Sequence, residues 1–183
     1  WPFSVSRLVF YPDFTNSRNR AEDYARSSSG IADSGGRPVL PVYLKYLKRA
    51  AELMEEGMKL YREAALASPA HKRSTAVREV VIAEQLQRMV ESEHAILEFE
   101  DLRMSYVGES DRNKQGELLD KMELILRQEI ERTNLSLLAA SRDSRLGFQY
   151  ECDYVYTPYA LEEKLKVLME TLEKHLPEAR MKS

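Results

Sequence analysis

Apolar and small side chains recur at alternating steps of four and three residues through the first long segment of this sequence. The positions are Tyr43, Leu47, Ala50, Met54, Gly57, Tyr61 and Ala64. This spacing places them on one side of an α-helix, because it averages close to the helical repeat. A second row, Leu44, Ala51, Met58 and Ala65, widens that side into a core-facing stripe. The pattern predicts a helix from residue 39 or 41 to about residue 68.

Three more helices follow by the same reasoning. Pro69 disfavours helical geometry just before it, so "SPAHKRST" is predicted to break the chain between the first two helices. The second helix is predicted over residues 74–107 and the third over residues 116–142, with "GESDRNKQG" as the turn between them. Pro158 suits the first turn of a last helix, predicted over residues 159–175.

The lengths of these segments and of their connections define a fold class. Short connections make successive helices antiparallel neighbours. We therefore predict an all-α fold, an antiparallel bundle of three long helices plus a C-terminal helix, with a short extended N-terminal segment. The chain begins Trp1-Pro2-Phe3 without an initiator methionine, which is typical of the inside of a longer protein. Residues 1–38 are interpreted as a fragment-like N-terminal segment and residues 39–183 as the bundle domain.

Composition excludes several classes of function. A net charge of −3 and a pI near 5.8 argue against non-specific nucleic-acid binding, which needs a basic surface. No apolar run reaches the roughly 18–20 residues that span a bilayer, so no membrane partner is expected. The balance of 43% hydrophobic and 31% charged residues is typical of a soluble globular domain. The compartment stays open: the sequence shows no secretory signal, but a mature secreted or periplasmic chain would have lost one.

Three glutamates fall on apolar helix faces. Glu93 and Glu100 lie within the apolar arc of the second helix, and Glu129 lies within that of the third, at about 100° per residue. A carboxylate on a core face must be paired, neutralised or metal-bound. Two interpretations are that this face is partly solvated or meets a further domain. Another is that the acids pair with arginines, for which the candidates are Arg88, Arg132, Arg142 and Arg145.

A metal site is the remaining interpretation of these acids, and the sequence argues against it. Glu91-x-x-His94 matches half of a di-iron bundle motif, but His71 and His175 lack the glutamate that a second half would need. No phosphate-binding loop, nucleophile elbow or readable Cys/His arrangement occurs, and Cys152 is the single cysteine. We therefore expect no metal, no cofactor and no catalytic residue in this chain.

The stretch "SRDSRLGFQYECDYVYTP", residues 141–158, is the least helical part of the chain. Its residues could contact a substrate or another domain, since tyrosines stack on sugar rings. Tyrosines pinned between two helices also form hydrophobic plugs with solvated hydroxyls. Both interpretations stay open, and the candidate contact residues are Asp143, Arg145, Phe148, Tyr150, Tyr154 and Tyr156.

Two regions of the sequence resemble glycoside-hydrolase-like proteins. "RLVFYPDFTNSRNRAEDYARSSSG" resembles the segment that closes the catalytic barrel of several multidomain glycoside hydrolases. "RDSRLGFQYECDYVYTPYALEEKL" resembles the tail of a group of bacterial relatives of the α-glucuronidases and β-hexosaminidase-like enzymes. Many of these relatives carry an acid where this chain has Gln149. The resemblance covers the two ends of the chain and only the general helical pattern of its middle.

The resemblance implies a role. It makes this chain the C-terminal helical domain that follows a (β/α)₈ barrel, with residues 1–38 ending the barrel and the catalytic carboxylates upstream of Trp1. We expect a non-catalytic accessory domain of a carbohydrate-active protein, which packs on the preceding catalytic domain or forms a homo-oligomer interface, and whose parent is a glycoside hydrolase that binds carbohydrate. The alternative is a free-standing helical module for protein interaction.

Overall fold

A computed structural model describes residues 12–15, 40–147 and 157–182 of this chain. The predicted all-α bundle is confirmed, and the described residues contain no strand. The described residues form five α-helices: α1 (Leu40–Ala67), α2 (Arg73–Gly108), α3 (Arg112–Ala140), α4 (Pro158–Glu170) and α5 (Leu176–Lys182). Short 3₁₀ turns occupy Ala70–Lys72 and Ser144–Gly147, and a π-helical turn, Thr171–His175, joins α4 to α5. The predicted extended N-terminal segment lies almost entirely outside the described residues.

The helices pack in the order in which they occur. Helix α1 packs mainly against α2, α2 also packs against α3, and α3 packs against α4 and α5. Connections of only a few residues make α1, α2 and α3 antiparallel neighbours. The main core lies between α2, α3 and the α4–α5 arm. Its largest fully buried apolar side chains are Phe99, Leu119, Met122, Leu126, Leu168 and Leu176.

Side-chain caps set the starts of two helices. Asp111 Oδ1 accepts hydrogen bonds from the backbone N–H groups of Asn113 (2.8 Å) and Lys114 (3.4 Å). This cap begins α3 at Arg112, so the predicted start at residue 116 is wrong by one helical turn. At α4, Thr157 Oγ1 accepts from Ala160 N–H at 3.2 Å, and Pro158 takes the first helical position.

The last helical arm is longer than predicted. Our predicted end at residue 175 is wrong, since the chain continues through the π turn into α5. In that turn Leu176 N–H donates to the carbonyl of Thr171, five residues earlier. Pro177 follows this turn. In an ordinary α-helix Pro177 would lack an N–H to donate and its ring would clash with the preceding turn, and the π turn stands at this position. Thr171 is fully buried, and its hydroxyl donates to Val167 C=O at 2.7 Å.

Residues 12–15 lie against the far end of α2. The Phe14 ring meets the Tyr106 ring edge-on, with centroids 5.6 Å apart and an interplanar angle of 85°. Tyr106 is buried and its hydroxyl donates to Ala179 C=O at 3.1 Å, so one aromatic pair joins the N-terminal segment, α2 and α5. Across the described residues, no helix combines the length and the apolar character needed to cross a membrane.

Candidate functional site

Glu129 is the centre of an ionic cluster inside the bundle. It lies on α3, and none of its surface is exposed. Its Oε1 accepts hydrogen bonds from Lys164 Nζ on α4 and Ser92 Oγ on α2, and Arg132 Nη1 donates to its Oε2. Lys164 Nζ also lies 2.8 Å from Ser92 Oγ. A buried carboxylate that binds two cations and a hydroxyl is well satisfied, and the cluster ties three helices together.

Arg132 connects this cluster to the bundle surface. Its Nε lies 3.2 Å from Glu91 Oε2, and Gln87 Nε2 donates to Glu91 Oε1 at 2.8 Å. Glu91 and Arg132 also line a groove of about 220 Å³ between α1, α2 and α3. The same groove includes His94, whose pKa is lowered mainly by burial. Four glutamates (Glu52, Glu55, Glu91 and Glu98) line the groove with two cations (Lys48 and Arg132), so its surface is net acidic.

Glu93 is the unusual acid of this region. Only 2% of its surface is exposed, and its Oε2 is buried without a hydrogen-bond partner among the described residues. Burial raises the pKa of Glu93 to about 8, and the nearby positive charge of Lys164 offsets only part of that rise. Glu93 is therefore protonated at neutral pH, which avoids the cost of a buried, unpaired charge.

Glu100 belongs to a second buried pair. Arg103, fully buried, donates from Nε to Glu100 Oε2 at 2.7 Å and from Nη2 to Glu100 Oε1 at 2.8 Å. This is the two-pronged geometry in which an arginine binds a carboxylate most strongly. Arg103 Nη1 also donates to the backbone carbonyl of Asp13 at 2.7 Å. The pair therefore connects the interior of α2 to the N-terminal segment.

Asp143 and Arg145, two of the candidate contact residues, bind each other at the end of α3. Arg145 Nε lies 3.0 Å from Asp143 Oδ1 and its Nη2 lies 2.7 Å from Oδ2. These hydrogen bonds hold the pKa of Asp143 well below its usual range. The side chains of Arg78 and Glu79 on α2 approach this pair at 3.7 and 3.8 Å. The pair thus fixes the turn to the start of α2.

The other candidates fall elsewhere. Phe148, Tyr150, Tyr154 and Tyr156 lie outside the described residues, as does Cys152. His94 Nδ1 lies 3.5 Å from Glu98 Oε2. The acid that pairs with His94 therefore follows it in sequence, whereas Glu91 of the half-motif precedes it. Within residues 12–15, 40–147 and 157–182, no three His, Cys, Asp or Glu side chains come together as a metal site would require.

Lys164, Ser92 and Arg103 complete the buried clusters, and our sequence reasoning did not assign them to these sites. Arg103 lies three residues after Glu100, a spacing that favours ion pairs on a helix and could have identified it. Lys164 and Ser92 have no such local signal, since each reaches Glu129 from a different helix. Of the candidate arginines, Arg132 binds Glu129, whereas Arg88 donates to Gln85 and Arg145 to Asp143.

A second feature of the fold is the outer face of α1. Four apolar side chains on this face lie within about 40° of one another at 100° per residue. We call them the α1 stripe: Val42 (53% exposed), Tyr46 (66%), Leu53 (49%) and Leu60 (68%). The buried side of α1, marked by Leu47 and Met58, packs against α2 and lies roughly 135° around the helix from the stripe. The α1 stripe therefore faces away from the rest of the bundle.

Comparisons with protein-family models, with curated proteins and with solved structures found no match to this chain. What the chain can do therefore follows from its own geometry. The acids at the centre of the bundle are enclosed and hydrogen-bonded or protonated, so the ionic cluster stabilises the fold. Among the described residues, the α1 stripe is a row of exposed apolar side chains on one helix face; Leu124, Leu135 and Leu138 on α3 are also exposed.

Proposed function

We propose that this chain is a non-catalytic helical interaction domain whose contact surface is the outer face of α1. The observation that carries the proposal is the α1 stripe, a row of large apolar side chains that are 49–68% exposed on an otherwise amphipathic helix. Exposed apolar patches are typical of protein–protein contact sites. The enclosed ionic cluster supports the non-catalytic part, because Ser92, Glu93 and Glu129 are at most 2% exposed and no substrate reaches them.

The wider protein is a separate part of the proposal. The resemblance of the two chain ends to glycoside-hydrolase-like proteins supports an accessory domain of a carbohydrate-active protein. In that setting we place the contact on α1, since the acid-bearing faces of α2 and α3 are buried within the bundle itself. Hydrolysis of aryl glycosides by the purified chain would overturn the non-catalytic assignment.

A photo-crosslinking amino acid at position 60 tests the interaction function. In cells that make the protein, we expect a crosslinked product that contains this chain and a defined protein partner, either another copy or a different protein. A matched variant carries the crosslinker at Glu117, an exposed position on α3, and should give no such product. If position 60 crosslinks no more than position 117, the outer face of α1 is not a contact surface and the proposal fails.

A further inference from the structure

We propose that the partner of the α1 stripe is a second copy of this chain, and that the two α1 helices pack antiparallel about a two-fold axis at Leu53. This inference rests on the proposed function, because it names the occupant of the same surface. It begins from the spacing of the stripe: Tyr46 and Leu60 each lie seven residues from Leu53, on either side. The stripe is thus symmetric about its own centre.

That symmetry determines which residues meet. When two identical helices pack antiparallel with Leu53 facing Leu53, Tyr46 of each copy meets Leu60 of the other. Val42, at the start of the stripe, likewise meets Ala64, since both lie eleven residues from the centre. Ala64 lines an apolar groove of about 490 Å³ with Tyr61 and Ala76 at the junction of α1 and α2. A two-fold contact is necessarily formed by one surface that fits itself, which this spacing satisfies.

The charges along one edge of the stripe also match in this arrangement. Arg49 lies four residues before Leu53 and Glu56 lies three residues after it, both on the same edge. The two-fold axis therefore brings Arg49 of each copy beside Glu56 of the other, which gives two Arg–Glu ion pairs. In one chain alone, Arg49 binds Glu52 at 3.2 Å with both side chains largely solvent-exposed, so its guanidinium is accessible. A parallel two-fold arrangement would instead place the charged edge of each copy beside the edge of the other that carries Ala50 and Gly57, and would form no such ion pairs.

The opposite edge of the stripe carries small residues. Gly57, which is exposed, and Ala50, which is partly buried against the α1–α2 core, lie there. The same two-fold axis brings Ala50 of each copy beside Gly57 of the other. A side chain built at Gly57 would meet nothing within 4 Å, so the bundle itself gives no packing reason for a glycine. Glycine inside a helix costs roughly 0.5–1 kcal/mol relative to alanine. Close approach of a second α1 helix supplies the reason, because small residues let two helix backbones come together.

Cysteine crosslinking tests both the contact and its direction. With Cys152 changed to Ser, the only cysteine is the engineered one. Leu53→Cys should form an intermolecular disulfide under mild oxidation, because position 53 lies on the two-fold axis. Tyr46→Cys and Leu60→Cys should each fail to crosslink alone, since each would lie about 21 Å along the helix from its own copy, but should crosslink when mixed. Self-crosslinking at 46 and 60 would mean parallel packing and would overturn the proposal.

A charge exchange provides a second, independent measurement. Sedimentation equilibrium should show a dimer for the unmodified chain. Arg49→Glu and Glu56→Arg should each weaken dimerisation, by roughly tenfold or more, and the double variant should regain much of the loss. Circular dichroism confirms that the variants remain helical. A chain that stays monomeric at all concentrations and gives no disulfide at position 53 overturns the self-association. The interaction function survives that result if the crosslinker at position 60 captures a different protein.

Discussion

Lys164 Nζ lies 2.8 Å from Ser92 Oγ, although 72 residues separate the two in sequence. Both groups also bind Oε1 of Glu129, so three helices meet at one carboxylate oxygen. The contact connects α4 to α2 and α3 through polar groups, in addition to the apolar packing of Leu161 and Leu168 in the main core. Such a connection tolerates few alternative arrangements, because a shift of one turn would leave a buried charge without its partner.

Replacement of Lys164 tests how strongly this cluster stabilises the fold. Lys164→Met removes one of the cations that bind the fully buried Glu129, so we expect a loss of about 3–5 kcal/mol in the free energy of unfolding. Urea denaturation followed by circular dichroism measures it. Lys166→Met is the matched control, because Lys166 is largely exposed and pairs with Glu163 on the surface; its cost should stay below about 1 kcal/mol. Equal losses in the two variants would show that the cluster does not stabilise the bundle.

The raised pKa of Glu93 predicts how the stability of the folded chain depends on pH. Its pKa in the folded chain, about 8, lies above the ordinary value of 4.5. Its contribution to stability is therefore complete below about pH 4.5, falls as pH rises towards 8, and is constant above that. Over this window the equilibrium constant for unfolding rises about tenfold per pH unit from this group alone.

Glu93→Gln separates this contribution from those of other groups. The amide does not ionise, so the variant should lose the decline between pH 4.5 and 8 and be more stable than the unmodified chain at pH 9. Glu117→Gln, an exposed change on α3, should keep the unmodified pH profile. Urea midpoints at several pH values measure both. An unchanged profile in Glu93→Gln would show that Glu93 titrates normally.

Arg103 predicts a link between the interior of α2 and the N-terminal segment. Lysine cannot reproduce its two bonds to Glu100 together with the third to the Asp13 carbonyl. Arg103→Lys should therefore lower stability by about 2–4 kcal/mol and speed hydrogen exchange at residues 13–15. Arg62→Lys is the control, because Arg62 pairs with Glu84 at the surface. If the exchange of residues 13–15 is unaffected by Arg103→Lys, the Arg103 hydrogen bond does not hold the segment.

The cap of α3 gives a smaller, local prediction. Asp111→Ala removes the acceptor for the N–H groups of Asn113 and Lys114, which should cost about 1 kcal/mol. Asp111→Asn keeps an acceptor oxygen and should retain most of that stability. Thermal unfolding distinguishes the two variants, and similar losses in both would mean that the charge of Asp111, and not its cap, is important.

The sequence predicted the helices well and the contacts between them poorly. The four-and-three spacing around Leu47 and Met54 reports one helix face, and that signal suffices for the number and approximate bounds of the long helices. It also singled out Glu93, Glu100 and Glu129, the acids that the structure buries. The spacing does not report how far one helix is shifted along its axis relative to its neighbour. The partners of these acids were predictable only where they lie on the same helix, as Arg132 and Arg103 do.

The same limit applies to the outer face of α1. Periodicity places Tyr46, Leu53 and Leu60 on one side of the helix, but their sequence pattern does not distinguish a side that packs from one that stays exposed. The position of α2 determines which side of α1 is packed, and α2 does not cover the α1 stripe. Similarly, the predicted helix end at residue 175 stands two residues before Pro177, and a proline there ordinarily signals termination. The π turn lets the chain pass the proline instead.

The π turn also has a consequence for insertions and deletions. In an unbroken α-helix the residue two turns after Leu168 is His175, whereas in this chain Leu176 is the buried residue and His175 is partly exposed. The turn thus accommodates one extra residue and returns Leu176 and Ala179 to the core. Deleting one residue from Thr171–His175 should convert the arm to a regular helix with Pro177 in its interior. The length of this turn therefore determines which face of α5 meets α3.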